Sequence, residues 1–137
     1  MIAVIRIRGM VDVPRDIAES LNRIRLRRKY AAVVLKDSPE NRKLLKKIRN
    51  YVSYGKITPA TFEKLLKNRG VSIGKTDIDV KKIISEFGNK NMEELGIKPF
   101  FRLHPPRGGI ESKKHSGVGK GVLGENKDID KLLERML

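Results

Sequence analysis

Residues 23–35 read RIRLRRKYAAVVL, a stretch that joins the end of an amphipathic helix to an apolar strand. Its first seven residues, here called the basic turn, contain five cations and no acid: Arg23, Arg25, Arg27, Arg28 and Lys29. Like charges this close repel one another and cost stability unless a polyanion lies opposite them. The alternative is an ordinary solvated helix end, where cations suit the negative end of the helix dipole. Five charges exceed what capping requires, so we favour a phosphate-rich partner.

The composition favours the same kind of partner. The 137 residues include 31 Lys and Arg against 16 Asp and Glu, a formal net charge of +15. Such an excess predicts nucleic acid as the partner, with an anionic membrane surface as the second choice. Cysteine is absent, which excludes a disulfide framework, a thiolate metal site and a cysteine nucleophile. The apolar N-terminus is too short for a signal peptide or a membrane span, so we expect a soluble, cytoplasmic protein.

The sequence around the basic turn predicts strands that alternate with helices. Three strands are expected at residues 2–8, 31–35 and 51–57, and the first carries Arg6 and Arg8 on one face. Helices are expected after Pro14, Ser38 and Thr58, with proline in or beside each first turn. Residues 1–70 are therefore predicted to form an α+β or α/β core in the order βαβαβα. Because a helix joins the first two strands, these residues alone favour a parallel pair.

The remaining residues divide into two segments. Residues 71–104 are expected to form a helical insertion and a return strand within the same domain, with Asp77, Gly88 and an Asn91–Glu94 capping box as helix boundaries. Residues 105–137 are expected to form a basic, glycine-rich loop and a C-terminal docking helix that begins near Asp128. A loop of this composition buries too little apolar surface to order itself, so we expect it to order on an anionic partner.

Three motifs suggest an enzyme, and each fails on its context. Residues 119–124, GKGVLG, match a dinucleotide fingerprint but follow a glycine-rich loop where the fingerprint needs a strand. Residues 70–76, GVSIGKT, resemble a P-loop that is one residue short and follows a helix. His104 and His115 have no partner at catalytic or metal-ligand spacing, so they are RNA contacts or plain surface residues. We predict no enzyme activity, no metal and no cofactor.

A family resemblance rests first on residues 23–57, RIRLRRKYAAVVLKDSPENRKLLKKIRNYVSYGKI. This segment resembles the core of the large-subunit ribosomal proteins numbered thirty in bacteria and seven in eukaryotes. Residues 87–95 and 100–109, with the closing Ile129, Leu132, Arg135 and Met136, resemble the longer archaeal and eukaryotic form. The long basic N-terminal extension of the eukaryotic relatives is missing here, which makes the archaeal form the closer match.

The resemblance implies a three-stranded antiparallel sheet, related to ferredoxin-like folds, with helices on one face. It also implies a structural role in the large ribosomal subunit, through binding of large-subunit rRNA, with 5S rRNA and other ribosomal proteins as neighbours. No membrane or small-molecule substrate is implied. A free-standing RNA-binding or RNA-chaperone protein is the alternative, and a small enzyme acting on nucleotides or RNA is a weaker one.

Charge and position assign the predicted rRNA contacts. Arginine binds phosphate in a bidentate way, lysine adds point charge, and tyrosine either stacks on unpaired bases or packs on the sheet. Tyr51 and Tyr54 leave both alternatives open, and Tyr30 is a further candidate for stacking. The assigned contacts are Arg6, Arg8, Arg23, Arg25, Arg27, Arg28, Lys29, Tyr54, Lys56, Arg107, Lys113, Lys114, His115 and Lys120.

Overall fold

The first strand, β1 (Ile2–Arg6), lies inside the sheet and is buried along its whole length. In the computed structural model, which describes residues 2–9, 11–70, 80–87, 97–110, 112–115 and 121–137, β1 pairs with β2 (Ala31–Leu35) and β3 (Val52–Lys56). Both pairings are antiparallel, which confirms the arrangement implied by the resemblance. The parallel pair favoured by the residues alone is wrong. After α1, the basic turn brings the chain back to Arg6, where β1 ends. There the Tyr30 amide donates to the Arg6 carbonyl at 2.7 Å.

Three further strands extend this sheet: β4 (Phe101–Arg102), β5 (Ser112–His115) and β6 (Gly121–Glu125). The strand order is β4-β2-β1-β3-β6-β5, with β4 antiparallel to β2 and β6 parallel to both β3 and β5. The return strand expected before residue 104 is confirmed by β4. The expectation of a loop is wrong for residues 112–115 and 121–125. The open edge of β3 offers backbone partners to β6, and Leu123 of β6 is buried in the core.

Helices cover both faces of the sheet. On one face, α1 (Arg15–Arg23) and α2 (Pro39–Ile48) pack against Ile2, Val4, Val33 and Val52. On the other, α3 (Pro59–Arg69), α4 (Val80–Glu86) and α5 (Ile129–Met136) pack against Ala3, Ile5, Ala32 and Val34. The α+β class is confirmed, whereas the placement of the helices on one face is corrected. Strands that are apolar on both faces need a cover on both.

The predicted starts of two helices are confirmed by their caps. The Ser38 hydroxyl accepts a hydrogen bond from the Asn41 amide at 3.2 Å, and Thr58 accepts one from the Thr61 amide at 3.4 Å. Each satisfies a backbone donor that the first turn of a helix leaves free. Proline follows both caps, at the first helical position, where it has no donor to lose.

The last two helices, α4 and α5, join α3 in the core on one face of the sheet. Phe87, at the end of α4, meets Phe62 of α3 edge to face with 5.3 Å between ring centroids. The apolar side of α5, made of Ile129, Leu132, Leu133 and Met136, is buried, which confirms that this helix docks back on the sheet. The helix boundaries predicted at Asp77, Gly88 and Asn91–Glu94 lie outside the described residues. The three-part division of the chain stays a prediction.

Candidate nucleic-acid interface

The basic turn is held by one buried apolar side chain. Leu26 is fully buried, and its amide donates to the Leu21 carbonyl at 2.9 Å. Arg25 and Tyr30 adopt left-handed backbone conformations, with φ of 67° and 64°, which are unusual for residues other than glycine. Because Leu26 points into the core, its neighbours in the turn point outward and are exposed: Arg23, Arg25, Arg27, Arg28 and Lys29.

A buried arginine, Arg6, holds the basic turn in place through hydrogen bonds to backbone carbonyls. Arg6 is only 3% exposed, and its guanidinium donates to the carbonyls of Leu26 at 2.7 Å, Arg8 at 3.0 Å and Gly9 at 3.3 Å. Burial lowers the pKa of Arg6 from its ordinary value, because the charged form loses solvent. Its assignment as an rRNA contact is therefore corrected: the side chain is enclosed and positions the turn. Arg8, by contrast, is exposed.

Two adjoining cavities lie beside β4 and are called here the β4-edge groove. The first has a volume of about 190 Å³ and is lined by Arg25, Arg27, Arg28, Ala31, Phe100 and Arg102. The second has a volume of about 380 Å³, shares Phe100 and Arg102, and adds Asn68, Arg69, Gly70 and Lys98. Among the residues that the structure describes, no carboxylate lines either cavity. The β4-edge groove is therefore a positively charged surface with an aromatic ring in it.

Two arginines of the groove, Arg27 and Arg28, are exposed and available to a ligand. Among the residues that the structure describes, neither Arg27 nor Arg28 forms an ion pair with a carboxylate. The Arg102 guanidinium carbon lies 5.7 Å from the centroid of the Phe100 ring, and Lys29 Nζ lies 5.0 Å from that of Tyr30. Planar guanidinium groups that lack acidic partners can bind phosphate oxygens in a bidentate way.

Tyr54 and Lys56 lie at a different place. They line a smaller cavity of about 120 Å³ between β3 and α2, and Glu125 lines it too. Lys56 Nζ is 3.6 Å from Asp37 Oδ2, so its charge is partly compensated. Burial raises the pKa of Tyr54, with a smaller contribution from Glu125, and the ring packs against the core. Since Lys56 pairs with Ile2, at the end of β1 away from the basic turn, the structure does not bring these two predicted contacts to the turn.

The predicted C-terminal contacts are also separate from the basic turn. Arg107 is exposed in a turn tied to α5, where its carbonyl accepts from Arg135 Nε at 2.8 Å. Strand β5, with Lys113, Lys114 and His115, forms the opposite edge of the sheet from β4. Five strand spacings of roughly 4.8 Å place the two edges about 24 Å apart. Lys120 lies outside the described residues.

Comparison with known proteins gives the same family throughout the chain. Residues 2–52 match the family model described as ribosomal protein L30p/L7e. A protein of Aeropyrum pernix named large ribosomal subunit protein uL30 is 40% identical over 98% of each chain. Proteins of the same name from Methanoregula boonei and Archaeoglobus fulgidus are 35% and 36% identical over 99% of each chain. The chain belongs to the uL30 family.

Membership of the uL30 family confirms the resemblance carried by residues 23–57 and by the C-terminal segments. The uL30 family model ends at residue 52. Strand β4 and all residues that line the second cavity of the β4-edge groove therefore lie beyond it. The uL30 relatives match across that region as well. Within the described residues no helix is long and apolar enough to cross a membrane, and no group of three potential metal ligands is found.

Sequence reasoning missed four residues of this uL30 chain that line the groove: Arg69, Lys98, Phe100 and Arg102. The sequence pattern predicts only a return strand before residue 104, with no contact residue in it. A signal was present, because residues two apart on a strand share a face and Phe100 is followed two positions later by Arg102. Arg69 reaches the groove only because of the way α3 packs, so the residues next to it in the sequence do not predict this position.

Proposed function

We propose that this chain is a structural, non-catalytic component of the large ribosomal subunit, located in the cytoplasm, and that it binds large-subunit rRNA. The observation that carries this is the end-to-end similarity to proteins named large ribosomal subunit protein uL30. Arg27 and Arg28 of the basic turn support it, since both are exposed, form no ion pair with a carboxylate of the described residues, and suit a polyanion.

The proposed binding mechanism is mainly electrostatic. Each phosphate neutralised by Lys or Arg releases condensed counterions, so the affinity for rRNA falls steeply as salt rises. Arg27, Arg28 and Lys29 supply the first contact region, with Arg8 and Arg23 beside it. Arg107, Lys113, Lys114, His115 and Lys120 supply a second region, and Tyr54 and Lys56 a third. 5S rRNA and other ribosomal proteins are proposed as neighbours.

Sedimentation of cell extract on a density gradient tests the proposed location. The protein should migrate with large subunits, should be absent from small subunits, and should remain bound at moderate salt and be released at high salt. A slow-sedimenting pool with none on subunits would overturn the proposal and would favour a free-standing RNA-binding protein.

A double charge reversal tests the proposed contact surface. Arg27→Glu with Arg28→Glu should leave the fold intact, weaken association with large-subunit rRNA by at least about 100-fold, and lower the slope of log affinity against log salt by about 2, roughly 1 per lost phosphate contact. Binding of purified protein to isolated rRNA over a salt series measures both.

The matched control is Lys43→Glu with Lys47→Glu, which makes the same charge change on the exposed side of α2. It should have a much smaller effect than the reversal in the basic turn. Equal losses for the two variants would show that net charge, and not the basic turn, governs binding.

A further inference from the structure

The β4-edge groove has an aromatic ring at its centre. Phe100 and Arg102 lie two positions apart, so they share the face of the sheet that α1 and α2 cover, and the guanidinium of Arg102 lies over the ring. Both side chains line both cavities. Strand β4 is only two residues long and, among the described residues, is the outermost strand on its side of the sheet.

Cations lie on either side of that ring. Arg27 and Arg28 line one cavity, and Arg69 and Lys98 line the other, where the Asn68 amide also lies. Within the described part of the chain neither cavity is lined by a carboxylate, whereas the cavity beside Tyr54 is lined by Glu125. A basic path interrupted by an aromatic ring is the arrangement with which proteins bind unpaired nucleic acid, because cations hold phosphates and the ring stacks on a base.

The first cavity is open to solvent and has a volume of about 190 Å³, so it has room for one flat ring system beside Phe100. In an RNA duplex the bases are stacked and paired, so none could reach Phe100. A nucleotide outside a duplex could.

We propose that the β4-edge groove binds an unpaired nucleotide of RNA. Its base stacks against Phe100, and its flanking phosphates are bound by Arg27 and Arg28 on one side and by Arg69 and Lys98 on the other. This inference rests on the proposed function and adds to it a preference for unpaired over fully paired RNA.

A pair of synthetic RNA hairpins tests this with the full-length chain. Both have the same stem, and one carries a single bulged 2-aminopurine. Wild-type protein should bind the bulged hairpin about tenfold more tightly than the fully paired one, as expected for one base stacked on an aromatic side chain. The fluorescence of the bulged base should fall on binding, because stacking quenches it.

Two substitutions at Phe100 separate stacking from packing. Phe100→Leu keeps an apolar side chain against the core but removes the aromatic ring, so the tenfold preference should disappear while affinity for the paired hairpin and its salt dependence stay unchanged. Phe100→Tyr keeps the ring and should keep the preference. Retention of the preference in Phe100→Leu would overturn the inference.

The outcomes also distinguish this inference from the proposed function. Equal binding of both hairpins by the wild-type chain, with steep salt dependence, would overturn the unpaired-nucleotide site and leave rRNA binding standing. Absence of the protein from large subunits would overturn the proposed function. Polyglutamate that binds as tightly as the bulged hairpin, with the same dependence on Phe100, would overturn the inference in favour of an acidic protein partner.

Discussion

At the scale of single residues, the environment of Arg6 explains how the basic turn keeps its shape. Its guanidinium donates to three backbone carbonyls, and one of them, on Leu26, belongs to the turn itself. A carbonyl that is buried without a donor costs free energy, so this side chain satisfies groups that the fold would otherwise leave unpaired. The repelling cations of the turn are thus attached to β1 by a residue that does not face the solvent.

Replacing that side chain should therefore destabilise the protein. Arg6→Met keeps much of the apolar stem and removes all three hydrogen bonds, and we expect the free energy of unfolding to fall by about 3 kcal/mol. Arg8→Met, the same change at an exposed position, should alter it by less than about 0.5 kcal/mol. Urea unfolding of the two variants measures this difference. Equal stabilities would show that the carbonyls find other donors.

That Arg6 is buried and Arg8 is exposed could not be predicted from the sequence. Both lie on the same face by strand alternation, and the sequence predicts both as rRNA contacts. Arg6 is buried because Leu26, twenty residues later, folds over it, and this contact depends on the whole turn. The outward direction of Arg27 and Arg28 was predictable, since five adjacent cations cannot all be buried.

At the scale of elements, the start of α2 joins its cap to an ion-pair network. Asp37 Oδ1 accepts from Arg42 Nε at 2.5 Å, and Asp37 Oδ2 accepts from Arg42 Nη2 at 2.9 Å. Lys56 of β3 approaches the same carboxylate at 3.6 Å. The Arg42 hydrogen bonds, together with the charges of Arg42 and Lys56, lower the pKa of Asp37 from 3.8 to about 2.

This pKa predicts a dependence of stability on pH. A carboxyl group whose pKa is lower in the folded than in the unfolded protein stabilises the fold above the unfolded value and loses that contribution as pH falls towards the folded value. Asp37→Asn should therefore have a lower free energy of unfolding than wild type above about pH 4. This difference between the two proteins should shrink as pH falls from about 4 to about 2. Urea unfolding at closely spaced pH values measures it, and a constant difference would contradict it. Arg42→Gln should reproduce the effect.

Elements with local signals were predicted well. The Ser38-Pro39 and Thr58-Pro59 starts and the apolar face of α5 depend on residues close together in the chain, and all three are confirmed. Strand β6 was missed because its glycines and charges are typical of a loop, and its partner is a distant strand edge. The family resemblance, and not the residue pattern, gave the correct direction for β1 and β2.

At the scale of the whole molecule, one glycine allows the C-terminal segment to reach the sheet. Gly55 of β3 lies directly against the backbone of Asn126, so closely that an added Cβ would overlap the Asn126 carbonyl oxygen and lie 3.0 Å from Ile129 Cγ2. The Asn126 amide donates to the Tyr54 carbonyl at 2.7 Å beside it. A backbone carbonyl cannot move aside as a flexible side chain can.

Gly55→Ala should therefore separate the segment that includes β6 and α5 from β3 and lower the free energy of unfolding by about 2–3 kcal/mol. The control is Gly9→Ala, where nothing lies within 4 Å of the added Cβ, and its effect should stay within about 0.5 kcal/mol. Urea unfolding measures both, and hydrogen exchange at the Asn126 amide reports the local loss. Unchanged exchange at Asn126 in Gly55→Ala would contradict the proposed role of the glycine.

The parallel pairing of β3 with β6 has a consequence for synthesis of the chain. Gly121, where β6 begins, follows Lys56, where β3 ends, by 65 residues. A nascent chain therefore completes β1, β2 and β3 well before the strand that covers the outer edge of β3 exists. An uncovered edge can pair with any other extended strand, and pairing between distant strands is slow to form. Wrong association of the newly made protein should therefore concentrate at Val52–Lys56, in the interval before Gly121–Glu125 has been added.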